Sequence, residues 1–328
     1  MRTRPFFCLT APLAIAYACV PADTRPPPGT LTMTVSPSGA LDGGVTSADG
    51  WTITFDRVLV ALGNTGFSDS CTVYGEADYD RIIDLGAGNG QKLGILHGLG
   101  QCDLRFRVAA PDDQTVLGAN VTEDDRQAMR IPLTDPYELQ TGSQTGAGAS
   151  FDIAATATRA GVTKHFHFVY RRRVRYQRCT PDAPPADASI AALAQAAAFS
   201  DSGAAVDLHE NEEVTYDLRI EPEGLFRDDV NPTSAALRFD PFAAADTNGD
   251  GTITLDEIRA VPITTIRDAG AIEASTYEVD DAGLLRRGQP VVIETLGDFV
   301  YELLAPTLVR FRDVGWCVGS ASGRRGPG

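Results

Sequence analysis

Lys164-His-Phe-His-Phe-Val-Tyr-Arg-Arg-Arg-Val-Arg-Tyr-Gln-Arg178 is the stretch that decides the fold class. Phe166, Phe168, Tyr170, Val174 and Tyr176 take the even positions, while His165, His167, Arg171, Arg173 and Arg175 take the odd ones. A period of two sends alternate side chains to opposite faces, so this segment reads as a strand with one buried and one wet face. The pattern recurs upstream. Trp51, Ile53 and Phe55 alternate with Thr52, Thr54 and Asp56, and Leu104, Phe106 and Val108 alternate with Asp103, Arg105 and Arg107. It recurs again where Val214, Tyr216, Leu218 and Ile220 alternate with Thr215, Asp217 and Arg219. Gly-, Asp- and Asn-rich turns separate these runs. The expected fold is mainly β with a smaller helical part: an antiparallel β-sandwich or barrel over residues 30–225.

Outside these strands the character changes. Asp187 to Ser200 is Ala-rich and follows Pro184-Pro185, which suggests a helix. Short helices are expected over 231–268. The segment 269–318 reads as helical and packed on the rest, with Leu296 to Leu304 as its candidate helix. Residues 319–328 read as a flexible tail. Apolar residues make up 43% of the 328, enough for a sizeable core. The formal net charge of −16 excludes nucleic acid as a natural partner, because phosphates reward Lys and Arg. It also disfavours an anionic membrane surface and is compatible with cation binding.

The first residues read as a secretion signal. Arg2 and Arg4 precede an apolar run from Phe6 to Ala18 that is too short for a membrane span and ends in Ala16-Tyr17-Ala18. Cys19 follows directly. This junction resembles the lipobox of bacterial lipoproteins, although Ala16 stands where that family usually has Leu. The resemblance implies cleavage after residue 18, a lipid on Cys19, and an outer-membrane or cell-surface location. Without the lipid, the chain is periplasmic or secreted, and the membrane is touched only through that anchor. Residues 19–29, with Pro26-Pro-Pro28, form a stiff spacer. Cys71, Cys102, Cys179 and Cys317 then form an even set suited to an oxidising compartment. Of three connectivities, Cys71–Cys102 with Cys179–Cys317 is favoured, because the first pair is close in sequence.

Residues 246–257 read Asp-Thr-Asn-Gly-Asp-Gly-Thr-Ile-Thr-Leu-Asp-Glu. A hard cation such as Ca²⁺ seeks about 6–8 oxygen ligands, and this spacing offers them. Asp246, Asn248 and Asp250 stand at positions one, three and five. Gly251 allows the sharp turn at six, and Thr252 offers its carbonyl at seven. Thr254 serves position nine directly or through water, and Glu257 closes the set at twelve. Thr254-Leu-Asp-Glu257 is also a capping box, so an exit helix starts there. The loop resembles the EF-hand family, and that resemblance covers about residues 237–268. It implies one bound Ca²⁺. The flanks are short, since Pro241 starts the entering helix and Pro262 ends the exit helix. No second loop offers a partner for Ile253 at position eight. A structural ion is therefore expected rather than a switch.

Other features read as bland. Ile82-Ile-Asp-Leu-Gly-Ala-Gly-Asn-Gly90 is similar to the glycine-rich first motif of S-adenosylmethionine-dependent methyltransferases. Gly94, Gly98 and Gly100 spoil the helix that must follow, so a strand leading into a glycine turn is expected. His165 and His167 share the wet face with arginines that repel a cation. No catalytic constellation emerges, and no enzyme is expected. The sequence thus reads as an exported calcium-binding protein, the alternative being a β-sandwich module for a surface protein or glycan.

Overall fold

The computed structural model describes residues 25–68, 71–131, 148–183, 206–266, 272–274, 277–279, 285–287 and 291–321. The expected signal peptide 1–18, Cys19, the start of the spacer and the Ala-rich stretch 187–200 lie outside the described residues.

The strands are β1 (Gly29–Pro37), β2 (Val45–Thr46), β3 (Thr52–Ser68), β4 (Thr72–Gly75), β5 (Ala77–Asp84), β6 (Gln91–Val108) and β7 (Val116–Leu117). They continue with β8 (Phe151–Arg159), β9 (Val162–Tyr170), β10 (Val174–Thr180), β11 (Val206–Leu208), β12 (Glu213–Ile220) and β13 (Thr252–Ile253). Four short strands follow in two antiparallel ribbons: β14 (Ile272–Ala274) with β17 (Val291–Ile293), and β15 (Tyr277–Val279) with β16 (Leu285–Arg287). β18 (Val309–Phe311) and β19 (Trp316–Ala321) complete the set. The helices are short: α1 (Ala40–Gly43), α2 (Glu123–Arg130), α3 (Asp240–Ala245), α4 (Leu255–Arg259) and α5 (Leu296–Asp298).

One curled sheet of 15 strands dominates, with a main path β13-β9-β8-β3-β6-β1-β12-β18. Two long strands produce the curl. β3 pairs β8 through residues 52–60 and β6 through residues 62–68, while β6 pairs β1 at its start and β3 at its end. A bulge bends β3 within the half that pairs with β6, where Asn64 takes φ 47° and the register shifts. Gly63 is required there, because a Cβ would stand 2.3 Å from the Tyr79 carbonyl oxygen. Pairing is largely antiparallel as expected, but β1–β12, β5–β7 and β9–β13 are parallel.

The even face of β9 and β10 is buried throughout Phe166, Phe168, Tyr170, Val174 and Tyr176. The larger of two apolar clusters runs from these rings across the expected boundary near residue 230 into the helical segment. Phe242 of α3 meets Phe166 edge-on at 5.8 Å, and Phe226 meets both rings at 5.2 and 5.1 Å. The described part of the expected helical segment, residues 231–266, is therefore docked on the sheet by aromatic packing. Just past β12, Glu221 accepts hydrogen bonds from Arg227 (2.7 Å) and Arg310 (3.1 Å), both buried guanidiniums. Arg172, on the same even face of the opening stretch, pairs with Glu302.

Both favoured disulfides form, Cys71–Cys102 and Cys179–Cys317. Two such bonds belong to an oxidising compartment outside the cytoplasm. Among the described residues, no helix is long and apolar enough to cross a membrane. The segment 269–318 departs from the helical expectation. Among its described residues, helix runs through α5 and its π-helical continuation Phe299–Leu304, where Leu296 to Leu304 was expected, and a 3₁₀ turn at Ala305–Thr307, while the described residues on either side form strands. β19 also carries strand structure to Ala321, inside the expected tail, by pairing with β10. Its sequence, Trp-Cys-Val-Gly-Ser-Ala, shows no alternation, so its strand character comes from β10 and the adjoining disulfide.

Candidate metal centre

α3, the loop and α4 follow the spacing of the sequence closely. Pro241 lies in the first turn of α3, and α4 ends before Pro262. The N-terminus of α3 is pinned to the sheet, because the Asp49 carboxylate accepts the amides of Phe239 (2.8 Å) and Asp240 (2.7 Å). The Trp51 indole donates to Asp240 at 2.9 Å, and the Arg159 guanidinium lies 4.6 Å from the Trp51 ring. At the far end the capping box closes as read. The Glu257 amide donates to Thr254 Oγ1, and Glu257 Oε2 accepts the Thr254 amide at 2.8 Å.

The loop between them is stitched to β9. Gly251 takes φ 82°, a left-handed turn that suits glycine, and its carbonyl accepts the His165 amide at 2.8 Å. Thr252 and Ile253 then pair in parallel with His165 and Phe166. Because the Gly251 carbonyl is the one that bonds β9, the Thr252 carbonyl is not used in that pairing. Ile253 is fully buried against the sheet. The sequence offered no second loop to receive Ile253, and β9 takes that part.

The side-chain oxygens do not converge as the sequence implied. Asp246 Oδ1 accepts the Gly249 amide (2.8 Å) and Oδ2 the Gly251 amide (2.9 Å). Asp250 Oδ1 accepts the Thr252 amide (2.7 Å), and Asp250 Oδ2 the Asn248 side-chain amide (3.1 Å). Asn248 Oδ1 accepts the Asp250 amide at 2.8 Å. Among the described residues, no three His, Cys, Asp or Glu side chains are gathered closely enough to grip a metal as they stand. The reason is local, since each carboxylate is held by N–H groups of its own turn. A carboxylate has about four lone-pair sites, so these bonds orient the oxygens without exhausting them.

Two observations bear on whether a cation suits this loop. Among the described residues, Glu257 Oε1 is buried and has no hydrogen-bond partner, whereas Oε2 serves the cap. An orphaned carboxylate oxygen costs about 1–3 kcal/mol or more, and a divalent ion would relieve it. The second is Lys164, whose ammonium forms an ion pair with Asp246 Oδ2. The Asp246 side chain has no exposed surface and that of Lys164 is 17% exposed. Lys164, helped by the Gly251 and Gly249 amides, holds the Asp246 carboxyl below the usual carboxylate range despite the opposing effect of burial. The sequence reading missed Lys164. The signal was its even number on β9, which places an ammonium on the buried face where it needs a carboxylate.

The remaining motifs stand apart from this loop. His165 and His167 are exposed on the odd face. His165 contacts Thr156 Oγ1 at 3.2 Å, and His167 pairs with Asp152 at 2.8 Å, which raises its pKa. The glycine segment after Asp84 makes a turn in which Asp84 Oδ1 accepts the Gly86 amide (2.9 Å) and Ser36 Oγ accepts the Gly90 amide (2.9 Å). β6 follows at once, where a dinucleotide-type site needs a helix. No protein-family description matches the chain, and no curated protein matches it in sequence. Among solved structures it is similar to MbnP from Methylosinus trichosporium, at 10% identity and TM-score 0.27, over 62% of this chain and 78% of that one. That score is too low to define a shared fold.

Proposed function

We propose that this chain is an exported β-sheet protein that binds one Ca²⁺ in the loop Asp246–Glu257, and that the ion braces the helical segment 231–268. The observation that carries this reading is Glu257 Oε1, buried and without a partner among the described residues, at position twelve of a loop that has its glycine turn and capping box. Asp246, Asn248, Asp250, the Thr252 carbonyl, Thr254 and Glu257 would hold the ion. Calcium would supply a cross-link between the start of the loop, entered from α3, and α4, which carries the closing carboxylate. Three formal ligand carboxylates in an unpaired loop suggest an affinity like that of extracellular modules, about 10⁻⁴–10⁻³ M. α4 spans five residues, too short a lever for a sensor-type opening, so the ion serves stability. Cys19 would carry a lipid that tethers the domain through the spacer.

Thermal unfolding with calcium or chelator tests the proposal. Glu257→Gln keeps an oxygen for the Thr254 cap and removes the charge. At 10 mM Ca²⁺ the wild type gains about 1.4–2.7 kcal/mol if the affinity lies in that range, and the variant gains nothing. Identical responses of the two proteins to calcium would overturn the proposal. Mass spectrometry of the mature N-terminus tests the lipid, since an unmodified Cys19 thiol contradicts it.

A further inference from the structure

We infer that Lys164 is a built-in competitor for the calcium loop: its ammonium occupies the position-one carboxylate until a divalent ion displaces it. The inference rests on the calcium reading above and concerns how that site is regulated. Of the chain's 28 cationic side chains, only Lys92 and Lys164 are lysines. An arginine's planar fork is wide and strongly directional, whereas an ammonium is a compact point charge of nearly ionic size. Lys164 sits on β9 beside His165 and Phe166, the two residues that pair with Thr252 and Ile253. The strand that receives the loop therefore also delivers a cation into it.

The charge balance explains why both partners are needed. The twelve-residue loop carries four acids, of which Asp256 faces Arg259, leaving three ligand carboxylates, Asp246, Asp250 and Glu257, and the Asp246 side chain has no exposed surface. Lys164 neutralises one of them and lets the loop fold at low calcium. An entering Ca²⁺ must take the Asp246 oxygen from the ammonium, because two cations on one shielded carboxylate repel each other. The amides of Gly249 and Gly251 can keep their bonds, since they direct the carboxylate rather than neutralise it. Lys164 thus lowers apparent affinity while stabilising the unloaded fold, and it is released toward solvent on loading.

The test uses two readouts on the full chain. Amine acetylation followed by mass spectrometry, with exposed Lys92 as internal control, reads the accessibility of Lys164 in wild type. The Lys164 signal is expected to rise at least threefold in 10 mM calcium over chelator. Calorimetric calcium titration of Lys164→Met, which keeps the aliphatic stem, is expected to show at least tenfold tighter binding and a lower melting temperature in chelator. Lys164→Gln gives the same comparison if the methionine variant folds poorly. Wild type and variant binding with equal affinity, or Lys164 labelling unchanged by bound calcium, overturns the competitor role and leaves the calcium reading intact. Binding by the variant alone upholds the competitor role and overturns native calcium binding. No binding by either overturns both.

Discussion

Replacing Ile253 by alanine separates the docking of the loop from its filling. Ile253 has no exposed surface and lies on β13, paired with Phe166 of β9. The substitution removes three carbons, worth about 2.4 kcal/mol at about 0.8 kcal/mol per buried methylene. The cavity left beside a rigid sheet brings the loss to about 3–4 kcal/mol, within the usual range for such truncations. In a domain of this size that corresponds to a melting temperature lower by roughly 6–8 °C. Circular dichroism melts in chelator and in 10 mM calcium check it. The deficit is expected in both media, because β9 holds the loop whether or not an ion fills it. Glu257→Gln, in contrast, acts only in calcium. A loss below about 1 kcal/mol for Ile253→Ala in chelator would mean that the loop is not anchored on β9, and the brace would lose its second attachment.

Two further outcomes follow from the core. Burial opposes the Glu221 charge, but Arg310 and Arg227 outweigh it and hold the carboxyl below the usual range. Because the folded value is depressed, its stabilisation is complete above the unfolded carboxylate pKa and disappears as pH falls through the folded one. Melts from pH 7 to pH 2 therefore show a decline that Glu221→Gln weakens, and at neutral pH that variant loses about 3–5 kcal/mol by leaving two buried guanidiniums unmatched. An unchanged acid profile would refute the triad's role. Cys179–Cys317 closes a separation of 138 residues and Cys71–Cys102 one of 31. In the loop-entropy account, serine replacement of the first pair costs about 5 kcal/mol and of the second about 4, so denaturant midpoints order the two variants.

Much of this was legible in the sequence because side-chain periodicity reports burial directly. Phe166, Phe168 and Tyr170 announced both the strand and its inner face. Thr254 to Glu257 announced a helix start by its capping chemistry, and the glycine and proline punctuation set both helix lengths. What stayed hidden depends on contacts between distant segments. β19 borrows its strand character from β10, so 316–321 carried no pattern of its own. The partner of Ile253 was a strand almost ninety residues earlier rather than a second loop. Lys164 and Arg172 sat on the buried face in plain view, but Asp246 and Glu302 could be matched to them only in three dimensions. The gathering of the loop oxygens was overread, since their spacing also permits each acid to bond its own turn.

The direct measurement of the central claim is equilibrium dialysis of the purified wild-type chain against millimolar calcium, with bound metal counted by atomic emission. One ion per chain, lost in Glu257→Gln, is the expected result. A wild-type chain that retains no calcium above its buffer at 10 mM contradicts the claim.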